Sequence, residues 1–339
     1  MTAEQQRSTP RALADSPRVT LAIYAAAIFL SAALLFAVQP LFAKMVLPRL
    51  GGAPSVWSVA MVFFQAVLLG GYAYAHLLTR YAPGRPAVII HVALLIVATF
   101  ALPLSIAAGW GRPPLQGETA WLLGLFAVSI GLPFFALSAN GPLLQAWFAR
   151  TGHPSARDPY FLYAASNVGS FLALISYPLV IEPLTRLGGQ THGWSIGFYV
   201  LIVLIAGCGV LLLRSPNALP SASEQGAAVE APPTWGDAAT WVGLAAVPAG
   251  LLIAVTAHIS TDVAASPLLW VIPLALYLAT FVIVFQTRPL LPHRWTIAAE
   301  PAFIILLMVV LVFGGIDYIF LTVAGKGDHE ERQLSLIHI

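Results

Sequence analysis

The sequence predicts an all-α fold, a polytopic bundle of about nine transmembrane helices. Three observations predict it. Of 339 residues, 59% are hydrophobic and only 9% are charged, where an ordinary soluble domain is about 25% charged. So few charges cannot cover a water-facing surface, and lipid is the expected solvent. The charges that do occur bound long charge-free intervals, and Lys and Arg fall unevenly on alternate sides of them.

The intervals follow in order, each long enough for the about 20 apolar residues of a spanning helix. Val19–Ala43 comes first, behind Arg7, Arg11 and Arg18. It is long for the apolar core of a signal peptide and further spans follow, so an uncleaved helix is expected. Leu50–Thr79 is second and Pro86–Gly111 third, joined by a turn carrying Arg80 and Arg85. Thr119–Ala149 is fourth, with Pro133 and Pro142 inside it. Pro159–Ile181 is fifth and contains Ser166-Asn167-Val168-Gly169-Ser170, small residues that let helices approach closely in lipid. Asp158 stands before it, where an acid suits the positive end of the helix dipole and serves assembly. Leu187–Leu213 is sixth and holds Cys208, the sole cysteine, which excludes an intrachain disulfide and reads as a packing residue.

Arg214–Asp237 interrupts the pattern with Ser215, Pro216, Pro220, Ser221, Ser223, Pro232 and Pro233, and reads as a flexible linker too short to be a domain. Ala238–Thr261 and Val263–Thr287 are the seventh and eighth intervals. Pro301 to Val323 is the ninth, with Asp317 near its far end. The layout is therefore a tail (1–18), a six-helix bundle (19–213), a linker (214–238), three further helices (239–323) and a second tail (324–339). Six spans, a linker and three spans suggest a two-half transporter fold cut short. The closing Leu334-Ser335-Leu336-Ile337-His338-Ile339 is what CTG TCT CTT ATA CAC ATC encodes, a string resembling the transposon mosaic end of sequencing libraries. The last six residues are accordingly expected to be translated adapter, and the natural chain to continue.

With the N-terminus placed in the cytoplasm, Arg7, Arg11, Arg18, Arg80, Arg85, Arg150, Arg157, Arg214, Arg288 and Arg294 lie inside. Lys44, Arg49, Arg112 and Arg186 lie outside, and Lys326 and Arg332 follow the ninth span. The positive-inside rule favours this orientation. The net charge of +2 and the absence of a basic stripe interleaved with aromatics give no sign of a nucleic-acid partner. No dinucleotide or phosphate-binding glycine motif and no zincin motif is present, since His329-Glu330-Glu331 lacks the second His. Hence no cofactor, no metal and no catalytic residue is expected.

Polar groups inside apolar intervals are the remaining functional signal, because an unpaired polar group in hydrocarbon is costly. They are Gln39, Gln65, His76, His91, Asn140, Gln145, Asn167, Glu182, His258, Asp262, Glu300 and Asp317. Gln65, Asn140, Asn167, His258 and Asp262 are taken as candidate pathway residues. Pro40, Pro133, Pro142, Pro178 and Pro248 can kink helices or free backbone carbonyls, as breaks lining transporter cavities do.

Longer strings carry a family resemblance. They are Phe36-Ala37-Val38-Gln39-Pro40-Leu41-Phe42-Ala43-Lys44-Met45-Val46-Leu47-Pro48-Arg49-Leu50-Gly51-Gly52 with Ser55-Val56-Trp57 and Phe63-Phe64-Gln65; His153 to Asn167; and Ile259-Ser260-Thr261-Asp262 with Pro267 to Pro273. Over nearly all of Val19–Gln286 the chain resembles the membrane part of bacterial fused proteins that join major-facilitator-like helices to a spermidine-synthase-like domain. Gly71 to Arg85 resembles the loop between helices two and three of facilitators but lacks its acid, so the resemblance does not carry over charge-relay gating. Ser166 to Ser170 with Tyr177-Pro178 resembles their helix five. The resemblance implies a bacterial inner-membrane module with a lipid bilayer around it. It implies a soluble aminopropyltransferase-like domain downstream, absent from this chain. Within the chain it implies either transport of a small, polyamine-related solute or an anchor for that domain. A freestanding transporter fragment fits these strings less well.

Overall fold

The computed structural model describes residues 17–50, 54–111, 114, 116–156, 160–215, 234–258, 271–284, 294–295, 297–305 and 308–309. The described elements are helical throughout, with no strand among them. Helix α1 is Pro17–Leu50, α2 is Pro54–Tyr81 and α3 is Arg85–Ala98, extended to Ala101 by a 3-10 turn. Helix α4 runs Glu118–Phe148 and α5 Tyr160–Leu184, each through a π-turn, at Ala127–Gly131 and Tyr177–Ile181. Helices α6, α7 and α8 are Leu187–Arg214, Trp235–His258 and Val271–Val284.

Six of these helices are long and apolar enough to cross a membrane: α1, α2, α4, α5, α6 and α7. Their outward faces carry large apolar side chains such as Val62, Leu69 and Val203, the last 71% exposed. Soluble monomers rarely leave such surfaces open, whereas lipid tails cover them without penalty. Helix α7 exposes Trp241, Leu244, Val247 and Leu251 in the same way.

Two intervals give shorter helices. The third was expected to be helical to Gly111, but α3 and its 3-10 turn end at Ala101, where Leu102 turns extended (φ −107°, ψ 148°). Pro103 follows, and a residue before proline is pushed out of the α region. The eighth yields the 14 residues of α8, the rest of that interval lying outside the described residues. Residues 310–339, which hold most of the ninth interval, Asp317 and the six terminal residues, also lie outside them, as do most of the linker and Asp158. The chain divides into two units, Met1–Val282 and Ile283–Ile339; in the second, residues 297–305 are helical.

The core of the first unit is built on α1, which packs against α5, α6 and α4, while α2 packs against α4. Glycine sets the two closest approaches. A Cβ built on Gly169 of α5 would stand 2.5 Å from the Phe29 carbonyl oxygen of α1. One on Gly71 of α2 would stand 2.5 Å from Ser138 Cβ of α4. These are the close contacts that small residues permit in lipid, where packing rather than water exclusion holds helices together. An aromatic cluster of Phe42, Phe63, Phe64, Phe126 and Phe134 fills the space between α1, α2 and α4 with edge-on and tilted pairs 4.9–5.7 Å apart.

Polar contacts gather at the two ends of the bundle. At one, His153 Nδ1 accepts the Ser155 amide N–H at 3.0 Å, so its Nε2–H is free to donate to the Pro17 carbonyl, 3.1 Å away. Ser215 donates to the Thr151 carbonyl at the same end. The start of α1, the α4–α5 connection and the end of α6 therefore share one face. At the other, Lys44 near the end of α1 pairs with Glu182 at the end of α5 at 2.6 Å. Gln190 at the start of α6 donates to Glu182 at 3.3 Å and accepts from Tyr177 Oη at 2.9 Å. α1 and α5 thus run parallel, with α6 antiparallel to both.

Candidate functional site

A cavity of about 200 Å³ opens between α1, α2, α4, α5 and α8. Ser31, Ala32, Leu35 and Phe36 line it from α1, Tyr72 from α2, Ser138 and Gly141 from α4, Tyr163, Ser166, Asn167 and Ser170 from α5, and Tyr277 and Leu278 from α8. Ser31 is at the midpoint of the apolar segment Pro17–Val46, while the lining residues of α5 lie in the first half of Phe161–Leu184 and those of α4 in the second half of Glu118–Phe148. Helix periodicity puts the α5 residues there: 163, 166, 167 and 170 are spaced three and four apart and share one face.

The polar groups of the wall are fixed by a buried chain of hydrogen bonds. His91 Nε2 on α3 stands 2.6 Å from Asn140 Oδ1 on α4, and Asn140 Nδ2 donates to Ser31 Oγ at 2.8 Å. An amide oxygen only accepts, so in this arrangement Nε2 carries the imidazole proton. His91 and Asn140 are fully buried and Ser31 nearly so. The chain thus crosses from the outer helix α3 to the cavity wall. Ser138 Oγ donates to the Phe134 carbonyl at 2.7 Å and Ser170 Oγ to the Ser166 carbonyl at 3.0 Å. Asn167 is 8% exposed, and its enclosed Nδ2 has no partner among the described residues. Around His91, whose Nδ1 likewise has no partner among the described residues, stand Tyr74 and Trp147 with ring centroids 6.0 and 6.3 Å away.

Of the five pathway residues chosen from sequence, the structure brings two to this region. Asn167 lines the cavity and Asn140 stands one hydrogen bond behind its wall. Gln65 is exposed on α2, away from the lining, and His258 is exposed at the end of α7. Asp262 lies outside the described residues. The five omitted His91, which sequence showed only as one polar residue in an apolar interval. They also omitted Ser31, Ser138 and Ser170, because serine is ordinary in membrane helices and carries no periodic signal of its own.

The sequence also contains Gly193-Trp194-Ser195-Ile196-Gly197, so a letter match to the hydrolase nucleophile elbow is present where none was expected. That elbow requires a strand-to-helix turn. Here the segment lies inside α6, and Ser195 Oγ is engaged with the Thr191 carbonyl at 2.8 Å, as in an ordinary helix. Among the described residues, no three His, Cys, Asp or Glu side chains converge as a metal site would need. No family model, no curated protein and no solved structure matches the chain.

Proposed function

We propose that this chain is the membrane module of a fused facilitator-like and spermidine-synthase-like protein of a bacterial inner membrane, and that its bundle carries a small solute through the cavity. The observation that carries the reading is the cavity itself, whose lining gathers serine and tyrosine hydroxyls from five helices and, among the described residues, no charged side chain. A bundle serving only to anchor a downstream enzyme needs close packing and no polar hollow between its helices, where each unsatisfied polar group is costly. Transporter sites lie within the membrane-spanning part of the bundle, at the interface between two repeats. The wall is shared in that manner, by four helices of the six-helix part and by α8 beyond the linker. The nine-span, facilitator-like layout, with catalysis assigned to the missing domain, belongs to the same reading. So does the inside orientation of the face bearing His153 and Ser215, next to which Arg18, Arg150 and Arg214 stand.

Alternating access gives the test. Ser166→Cys in a Cys208→Ala background places one thiol in the cavity wall. In proteoliposomes of defined orientation, a small charged methanethiosulfonate applied to either side in turn is expected to label it from both. Labelling from neither side, or from one side only, would return the bundle to an anchor.

A further inference from the structure

Resting on the transport reading, we propose that Gly141 sets how bulky a solute the cavity admits. Gly141 lines the cavity from α4 together with Leu137 and Ser138, which precede it by four and three residues and so share its helix face. A Cβ built on Gly141 meets nothing within 4 Å, and the open space on that face of α4 is the cavity. Gly141 is the sole glycine among the described lining residues; at the other positions a side chain already stands in the wall. At Gly141 the wall is bare backbone, and each carbon added there is taken from the space left for a solute.

Neither packing nor chain conformation requires a glycine here, and glycine weakens a helix interior. Close approach explains Gly169 and Gly71, where a Cβ would stand 2.5 Å from the Phe29 carbonyl oxygen and from Ser138 Cβ. Gly141 has no such neighbour. Gly188, Gly189, Gly193, Gly243 and Gly250 are open in the same sense, but all of them are exposed, whereas Gly141 is half-buried. Pro142 follows Gly141, and a residue before proline is disfavoured in a helix partly through its Cβ. That clash does not demand glycine in this bundle. Gln39 before Pro40 in α1 and Val247 before Pro248 in α7 stay helical with full side chains. The use that remains for the missing side chain at 141 is the free space it leaves in the cavity.

The test compares two reagents of equal charge and different bulk at one thiol in the cavity wall. Ser166→Cys in the full Cys208→Ala chain, purified in detergent, is treated with 2-aminoethyl and with 2-(trimethylammonio)ethyl methanethiosulfonate. The ratio of the two rates is read, so that the reactivity of the thiol cancels. Adding Gly141→Ala is expected to slow the bulkier reagent severalfold relative to the smaller one. Gly141→Leu should do so by about tenfold or more, the scale on which single methylenes discriminate in a pocket. Gly193→Leu, on the exposed side of α6, should leave the ratio unchanged. A ratio unmoved by the Gly141 substitutions, or moved as far by Gly193→Leu, would overturn the proposal and leave the transport reading standing. If gel filtration shows that Gly141→Leu does not fold, Gly141→Ala decides alone. Failure of both reagents to modify the chain that retains Gly141 would overturn the transport reading and the proposal together.

Discussion

Replacing Gly169 with alanine isolates the contact that holds α5 against α1. The added Cβ would meet the Phe29 carbonyl oxygen at 2.5 Å and its carbon at 3.2 Å. Ordinary contact starts at 3.4 Å, so the shortfall to the oxygen is 0.9 Å (3.4 − 2.5). Both atoms belong to helix backbone, and no side-chain rotation can relieve them. The helices must part locally by roughly that amount, and a gap of about 0.5–1 Å forfeits a quarter to a half of each nearby dispersion contact. Overpacking of this kind costs about 1–3 kcal/mol. Alanine regains about 0.5–1 kcal/mol of helix propensity over glycine. The net expectation is a loss of about 1–2 kcal/mol. Gly193→Ala in α6 is the control, since its Cβ would meet nothing within 4 Å and only the propensity gain remains. Unfolding by SDS titration from mixed micelles, followed by circular dichroism, measures both. Equal stability of Gly169→Ala and Gly193→Ala would refute the close-approach argument.

Gly71→Ala should behave like Gly169→Ala in the same titration, because its Cβ would reach Ser138 Cβ at 2.5 Å and the Ala139 amide nitrogen at 3.0 Å. Asn140→Leu keeps roughly the volume but orphans the His91 Nε2–H and removes the donor to Ser31; at about 1–3 kcal/mol per buried group left unsatisfied, a loss on the order of 2–4 kcal/mol is expected. Nitrogen NMR of labelled imidazoles should show the Nε2–H tautomer at His91 in the wild type and a changed His91 signal in Asn140→Leu; an unchanged signal would mean the bond is absent in the membrane. Lys44 and Glu182 are each about a third exposed, at 31% and 27%. A double-mutant cycle with Lys44→Met and Glu182→Gln should give a coupling below about 1 kcal/mol that shrinks with salt. For topology, Ser223→Cys in a Cys208→Ala chain should resist an impermeant thiol reagent in intact cells, and labelling there would reverse the assigned orientation.

Composition and charge spacing alone determined the helical class of this protein and where most of its helices run. Lipid accounts for that legibility: it demands long uncharged stretches and internal satisfaction of every backbone group, so charges gather near helix ends. Leu187–Leu213 became α6 with one residue added, whereas α1 runs past Ala43 through Lys44 and Arg49 to Leu50. Where the charge rule had no voice, backbone chemistry decided, as at Pro103, which ends α3 early inside an uncharged interval. The site was legible only in part. Asn167 stood out because an amide in hydrocarbon needs a partner. Its place beside the cavity, and the hydrogen bonds that hold Ser31, Ser138 and Ser170 there, came from the tertiary structure. A serine hydroxyl can donate or accept, and which it does is fixed by neighbours on other helices: Asn140 lies 109 residues from Ser31, and His91 a further helix away. Helix-to-helix register of that kind leaves no mark on local composition. Only the folded bundle, with Gly169 and Gly71 setting how closely its helices approach, brings those groups around one cavity.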